Sequence, residues 1–180
     1  FAALAEVLVA RLHRAAAAEL VRIHGVMPGP GAAVLALGKL GGREITAASD
    51  LDLILIYEHA DGALSDGPRP LDASQYYTRL TQRLIAALSA PTAEGRLYEV
   101  DMRLRPSGRS GPLATRLAAF AAYQASDAWT WEHMALTRAR VICGSGSLRA
   151  DIAGVIKATL TRPRDIALVA RDVLSMRETL

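Results

Sequence analysis

Cysteine is almost absent from this chain, and aromatic residues are scarce. Cys143 is the single cysteine among 180 residues, which excludes an internal disulfide and any zinc site that needs several cysteines. A lone cysteine is compatible with a reducing compartment, so we expect the protein to be cytoplasmic. Aromatic residues make up 5% of the chain, which argues against the stacking surfaces that bind single-stranded nucleic acid.

Long apolar runs and a strong net charge are also lacking. No apolar run approaches the roughly 18 residues that a membrane span needs, and the start of the chain lacks a signal-peptide pattern. The net charge is +3 and the isoelectric point is near 9.4, a balance too mild to predict nucleic-acid binding. We therefore expect neither a nucleic acid nor a membrane as a partner.

The composition that remains is that of a globular domain with a sizeable core. Hydrophobic residues make up 51% of the chain and charged residues 22%, and the abundance of Ala, Leu and Arg favours helices. The length suits one large domain or a domain and a half. Because the chain begins at Phe1 without a methionine and stops within a helical pattern, we expect it to be a piece of a longer protein.

Hydrophobic periodicity predicts strands and helices in the first part of the chain, and helices alone after it. Apolar spacing predicts helices over residues 2–24 and 71–90, and apolar runs predict strands over residues 32–40 and 49–59. From Thr115 onward the pattern is helical, with breaks near Asp127, at "CGSGS" and at Pro163. We expect an α+β fold, with a small sheet and its helices over residues 1–114 and the start of a helical bundle over residues 115–180.

A third strand is predicted over residues 96–106, "RLYEVDMRLRP", because its side chains alternate strictly. One face is apolar and the other is charged. The apolar face holds Tyr98, Val100, Met102 and Leu104, and the charged face holds Leu97, Glu99, Asp101, Arg103 and Arg105.

Two carboxylates stand at the start of the second predicted strand. Asp50 and Asp52 are two residues apart on a strand, so their side chains point to one face about 7 Å apart. Two bare carboxylates repel each other in a cleft, and divalent cations such as Mg²⁺ remove that cost. If the strand carrying Asp101 is a neighbour, three carboxylates converge as in a two-metal phosphoryl-transfer site. The alternative is turn chemistry or a surface pair.

Glycines, a serine and two arginines surround these carboxylates in the sequence. The Gly41-Gly42 pair lets a backbone approach phosphate closely, and Ser49 adds a hydroxyl. Arg103 and Arg105 lie on the predicted face of Asp101, and guanidinium groups bind phosphate oxygens in a bidentate manner. The alternatives are an ordinary glycine turn and a solvated sheet edge joined by salt bridges.

The segments "GKLGGREITAASDLDLILIY", "RLYEVDMRLRPSGRSGPLAT" and "AWTWEHMALTRARVICG" resemble the glutamine-synthetase adenylyltransferases, also called glutamate–ammonia-ligase adenylyltransferases. The resemblance runs over nearly the whole chain. That family belongs to the DNA-polymerase-β-like nucleotidyltransferases, whose pattern matches Gly41, Gly42, Asp50, Asp52 and Asp101 here. The resemblance implies a palm with a small mixed sheet and flanking helices, followed by a helical bundle.

The resemblance also implies the reaction and its partners. Members are bifunctional: one half removes AMP from a tyrosine of glutamine synthetase by phosphorolysis, and the other attaches AMP from ATP. "RPSG" and "AWTWEHMALTRARV" are more similar to the C-terminal, adenylylating half. The implied partners are glutamine synthetase as substrate, with the PII signalling protein and glutamine as regulators.

The expected mechanism is two-metal transfer of AMP. Asp50 and Asp52 would hold both Mg²⁺ ions, and Asp101 would bind the ion nearest the nucleophile. We expect the β- and γ-phosphates of ATP to be held by Gly41, Gly42 and Ser49.

Two arginines and one tryptophan complete the expected site. Arg103 and Arg105 would neutralise the leaving pyrophosphate. For Trp129, on the helix after the sheet, packing in the core is favoured over stacking on adenine.

Three other functions remain open from the sequence. The same site could run phosphorolytic deadenylylation with phosphate as nucleophile. An RNA or small-molecule nucleotidyltransferase would need a basic groove with stacking aromatic residues. A non-catalytic regulatory module would have to keep three unpaired acids without a metal, which is costly.

Overall fold

The protein is an α+β domain in which helices cover both faces of a mixed sheet. The computed structural model describes residues 1–93 and 95–178, with side chains through residue 176. The helices are α1 (Ala2–His24), α2 (Gly38–Gly41), α3 (Ala73–Leu88), α4 (Leu117–Ser126), α5 (Thr130–Leu136), α6 (Gly146–Thr161) and α7 (Ile166–Glu178). The strands are β1 (Gly31–Ala36), β2 (Leu51–Glu58), β3 (Pro91–Thr92), β4 (Gly95–Arg96), β5 (Val100–Asp101), β6 (Ala114–Arg116) and β7 (Arg140–Cys143).

Strand β2 lies at the centre of the main sheet. Its residues 53–58 pair antiparallel with the full length of β1, and β1 pairs antiparallel with β7 on its other side. Along the other edge, β2 pairs in parallel first with β5 and further on with β6. The predicted α+β fold with a mixed sheet and flanking helices is therefore confirmed.

The central strands are apolar on both faces because a separate helical layer covers each face. One cluster joins Leu53 and Leu55 of β2 to buried residues of α1 and α3. The other joins Ile54 and Ile56 to Phe120 and to buried residues of α5 and α6. The continuous run "LILI" is thus the sequence of a strand buried on both sides.

Three long elements have the bounds that periodicity predicts, to within two residues. Helix α1 ends at His24 because Gly25 adopts a φ of 78°, in the left-handed region that favours glycine. Helix α3 begins after Asp72, whose side chain accepts a 2.9 Å hydrogen bond from the Gln75 N–H. Strand β2 covers Leu51–Glu58, and the predicted breaks near Asp127 and Pro163 separate α4 from α5 and α6 from α7.

Three local predictions are wrong. The first apolar run leaves the sheet after Ala36 and forms α2, where a strand over residues 32–40 was expected. The alternating segment 96–106 contributes only Val100–Asp101 to the sheet, and it turns directly afterwards. The region after Thr115 is not purely helical, because β7 returns to pair with β1. The division at residues 114 and 115 stays a prediction.

Among the helices that the structure describes, none is both long enough and apolar enough to span a membrane.

Candidate active site

One row of side chains on β2 leads from the core to the surface. Ile54 and Ile56 lie on this row beneath helices α4–α6, and period-two geometry places Asp52 on the same row. Asp52 is half-buried, and Asp50, just before the strand, is exposed. The strand that anchors the core therefore also delivers both carboxylates to a surface cleft.

The third predicted carboxylate lies next to them. Asp101 is the register partner of Asp52 in the parallel β2–β5 pair, as the sequence predicts if the two strands are neighbours. One carboxylate oxygen each of Asp50, Asp52 and Asp101 lies within 4.8 Å of the other two.

The pKa values of two of these acids are shifted in opposite directions. Burial, followed by repulsion from Asp50 and Asp101, raises the pKa of Asp52 above its ordinary value. Hydrogen bonds from Arg103 lower the pKa of Asp101. The Arg103 Nε donates to Asp101 Oδ2 at 2.7 Å, and the Arg103 backbone N–H donates to Oδ1 at 2.8 Å.

Helix α2 brings a glycine backbone against Asp52. Gly38 has a φ of 51°, which turns the chain out of β1 and into α2. A Cβ at Gly38 would collide with Asp52 Oδ2, so only glycine leaves room for that carboxylate. Sequence reasoning missed Gly38 because the neighbouring Gly41-Gly42 pair is the more conspicuous signal.

The predicted phosphate-binding glycines are engaged within the fold. The Gly41 N–H donates to the Leu37 carbonyl at 2.7 Å, and the Gly42 N–H donates to the Gly38 carbonyl at 3.0 Å. A Cβ at Gly41 would collide with the Arg138 carbonyl, so this glycine permits a close backbone contact. Phosphate binding by Gly41 and Gly42 stays a prediction.

Ser49 and Arg105 are buried and shape the two loops beside the triad. The Ser49 Oγ accepts from the Thr46 N–H at 3.0 Å. The Arg105 guanidinium donates to the carbonyls of Met102 at 2.7 Å and Pro112 at 3.1 Å, which fastens the loop after β5. Their contacts with phosphate also stay predictions. Of the two predicted arginines, only Arg103 contacts Asp101 directly.

Two open depressions flank the carboxylates, and Asp50 lines both of them. The first measures about 430 Å³, and its polar lining includes Lys39, Ser49 and Arg96. The second measures about 370 Å³, and its lining includes Asp101, Arg103 and Arg109. Sequence reasoning assigned no role to Arg96, the first residue of the predicted third strand, or to Arg109 in the glycine-containing segment after it.

Trp129 does not pack in the core, contrary to the prediction. Its side chain is 68% exposed, because it precedes α5 as the N-cap residue and its backbone N–H donates to Glu132. Trp129 lines a depression with residues of α7, including Asp172.

The donor set fits Mg²⁺, which prefers carboxylate oxygens and keeps several waters. Three carboxylate oxygens within 4.8 Å of one another match a site bridged by cations. The Asp52 carboxylate occupies the space that a Cβ at residue 38 would fill. Asp50, Asp52 and Asp101 are therefore the residues that would hold metal.

A mixed sheet with a carboxylate triad at a strand end, beside basic depressions, is typical of metal-dependent nucleotidyltransferases. Comparison with known families agrees with this class. The family model described as "Glutamate-ammonia ligase adenylyltransferase" matches residues 1–154. The chain belongs to this family.

Individual relatives are similar over the whole chain. Each is named a bifunctional glutamine synthetase adenylyltransferase/adenylyl-removing enzyme. The protein from Brucella suis is 60% identical over 100% of this chain, and that from Agrobacterium fabrum is 55% identical over 100%. The protein from Rhizobium meliloti is 56% identical over 97%. The chain spans 18% of the length of each of these relatives.

Proposed function

We propose that this chain is the adenylylating domain of its family, transferring AMP from ATP to a tyrosine of glutamine synthetase and releasing pyrophosphate. The observation behind the proposal is the convergence of Asp50, Asp52 and Asp101 in a cleft with basic walls. The antiparallel and parallel partners of β2 suit the palm of a polymerase-β-like nucleotidyltransferase. The motifs "RPSG" and "AWTWEHMALTRARV" favour the adenylylating half.

The carboxylates divide the work of the reaction. Asp50 and Asp52 would hold two Mg²⁺ ions, and Asp101 would bind one of them. Those ions, when bound, neutralise phosphate charge and favour the phenolate of a tyrosine, whose ordinary pKa is about 10. The phenolic oxygen forms a bond to the α-phosphorus as the bond to pyrophosphate breaks. Asp101, ionised at neutral pH, accepts the departing phenolic proton and passes it to solvent.

Basic side chains beside the carboxylates bind the phosphates of ATP. Lys39 and Arg96 line the depression next to Asp50, where with Ser49 they suit the β- and γ-phosphates of ATP. Gly41 and Gly42 keep their proposed place at these phosphates.

Arg103 and Arg105 keep their proposed role in neutralising the leaving group. Arg103 is the better placed of the two, because it is exposed, whereas the Arg105 guanidinium is engaged by carbonyls.

A second candidate is phosphorolytic deadenylylation at the same carboxylates. It is favoured by the names of the relatives, which include an adenylyl-removing activity. In both cases glutamine synthetase is the protein partner, glutamine and the PII protein are regulators, and the cytoplasm is the proposed location.

The test uses the complete polypeptide in which this sequence occurs, with Asp50→Asn and Asp101→Asn variants. Asp151→Asn, an exposed acid on α6, is the matched control. Transfer of label from α-labelled ATP to glutamine synthetase should be lost in both site variants, whereas phosphate-dependent ADP release from adenylylated glutamine synthetase should continue. The reverse pattern would assign the deadenylylating reaction to this chain. Retention of both activities in the two variants would refute the site itself.

A further inference from the structure

Both oxygens of the Asp101 carboxylate are occupied by one neighbouring residue. Oδ2 accepts from Arg103 Nε at 2.7 Å and lies 2.5 Å from Arg103 Nη2, while Oδ1 accepts from the Arg103 backbone N–H at 2.8 Å. A carboxylate oxygen offers two lone pairs. The Arg103 side chain therefore holds Oδ2 through one hydrogen bond and a close ion-pair contact, and Oδ1 accepts one hydrogen bond.

The other two carboxylates of the triad differ in this respect. Among the residues that the structure describes, none forms an ion pair or side-chain hydrogen bond with the carboxylates of Asp50 and Asp52. The carboxylates of Asp50 and Asp52 are thus open to a cation, whereas the carboxylate of Asp101 already contacts the Arg103 guanidinium.

The arginine can leave this position at low cost. Its side chain is 65% exposed, whereas that of Asp101 is 13% exposed. Water solvates the freed guanidinium, and an arriving divalent cation replaces its charge at the largely buried Asp101 carboxylate. A divalent cation that binds Oδ2 of Asp101 competes with the guanidinium for this oxygen.

We propose that Arg103 is a place-holding cation that exchanges with a divalent metal ion at Asp101 and, once released, contacts the phosphoryl oxygens of the bound nucleotide. Two consequences follow. The metal position at Asp101 is weaker than that at Asp50 and Asp52, since only it requires an exchange. Nucleotide and metal bind cooperatively, because the nucleotide stabilises the released guanidinium. The inference rests on the proposed function for the identity of the nucleotide.

The exchange is tested by Mn²⁺ titration of the complete polypeptide, followed by electron paramagnetic resonance. The Asp50→Asn/Asp52→Asn/Asp101→Asn variant defines binding elsewhere. Arg103→Gln should tighten the weaker Mn²⁺ affinity about 5-fold or more, because the direct competitor is removed. Arg109→Gln is the matched control: it removes the same charge from the same depression, and it should change the affinity less than about 2-fold.

Two further measurements separate competition from general electrostatics. Arg103→Lys keeps the charge but loses the guanidinium fork, so its Mn²⁺ affinity should fall between those of wild type and Arg103→Gln. The Nε–H resonance of Arg103, assigned by its loss in Arg103→Lys, should shift when Mg²⁺ is added. Equal effects of Arg103→Gln and Arg109→Gln, or an Arg103 resonance that ignores saturating Mg²⁺, would overturn the proposal.

A third measurement tests the link to nucleotide. A non-hydrolysable ATP analogue should tighten Mn²⁺ binding in wild type, and this coupling should fall several-fold in Arg103→Gln. Coupling that persists unchanged in Arg103→Gln would remove the nucleotide contact from the proposal. If exchange is observed but glutamine synthetase accepts no label, the proposed function fails while the exchange stands.

Discussion

Asp52 and Asp101 are the same residue type, lie opposite each other on paired strands, and have pKa values shifted in opposite directions. Asp52 is half-buried beside two like charges, Asp50 and Asp101, which raise its pKa. The Asp101 carboxylate forms an ion pair with the Arg103 guanidinium. The same contrast separates the two arginines, since Arg103 is exposed and Arg105 is buried against carbonyls. Neighbours, rather than residue type, thus determine the role of each charged group.

The largest effect is expected from substitution of Asp52. Asp52→Asn should reduce nucleotidyl transfer about 1,000-fold or more, because it removes a charged side chain that we propose as a ligand of both cations. Without metal, the variant should be at least as stable as wild type, since it relieves repulsion with Asp50 and Asp101. Label transfer and thermal unfolding with and without Mg²⁺ measure both effects. A large loss of stability without metal would show that Asp52 is a structural residue.

The two arginines should differ in the next largest effect. Arg105→Gln should lower the free energy of unfolding by about 2–4 kcal/mol, because buried carbonyls lose charged donors. Arg103→Gln should lower the unfolding midpoint much less, because its side chain is exposed and loses only the ion pair with Asp101. Urea unfolding of both variants tests the contrast, and equal midpoints would remove it.

Glycine at residue 38 offers a smaller and more local test. Gly38→Ala costs about 1 kcal/mol from its positive φ alone, and its Cβ would displace the Asp52 carboxylate. Mn²⁺ affinity should therefore fall about 10-fold or more. Gly62→Ala is the control, because Gly62 also has a positive φ and its Cβ would meet nothing within 4 Å. If both variants bind Mn²⁺ equally well, the close approach of Gly38 to Asp52 has no role in the site.

The smallest effect concerns pH and stability without metal. The lowered pKa of Asp101 stabilises the fold above the unfolded pKa of about 3.9, and this contribution is lost as the pH falls through the folded pKa. The raised pKa of Asp52 has the opposite sign: its cost is complete above the folded pKa and is relieved as the pH falls through it. Relative to wild type, Asp101→Asn should be less stable and Asp52→Asn more stable at neutral pH.

The Asp52 difference should vanish toward pH 3, below both of its pKa values. The Asp101 difference should begin to shrink below about pH 3.9 and should persist until the pH falls through its lowered folded pKa. Unfolding midpoints measured between pH 3 and pH 7 test both changes. Differences of constant size across that range would assign the effects to packing.

The sequence predicted the elements whose patterns are long and local. Helix α1, strand β2 and helix α3 each contain enough periodic residues to establish their type. Helix α2 was missed because a single turn is too short to show a period, and because its carbonyls accept hydrogen bonds from a residue of β7. The Arg140 guanidinium donates to the carbonyls of Gly41 at 2.6 Å and Leu40 at 2.9 Å.

Strand β7 was missed for a related reason. It has four residues between helical segments, and its pairing with β1 depends on contacts that no local window contains. The segment after β5 shows the opposite error, because a strand was predicted there and the structure has a turn. Its alternation is real, but Arg105 turns inward to hold the carbonyl of Met102, so the chain leaves the sheet after Asp101.

The sequence by itself determined the kind of chemistry: an Asp-x-Asp pair opening a buried strand, a third aspartate on another predicted strand, and motifs that define the family. Those features are properties of residue type and short spacing, which the linear chain contains in full. The tertiary structure alone decided that Asp101 lies beside Asp52 and that Gly38 contacts the Asp52 carboxylate. It also decided that Arg103 forms its ion pair with Asp101 rather than with Asp50 or Asp52. These outcomes depend on strand register and on distances of a few ångströms between distant residues, which no local pattern encodes.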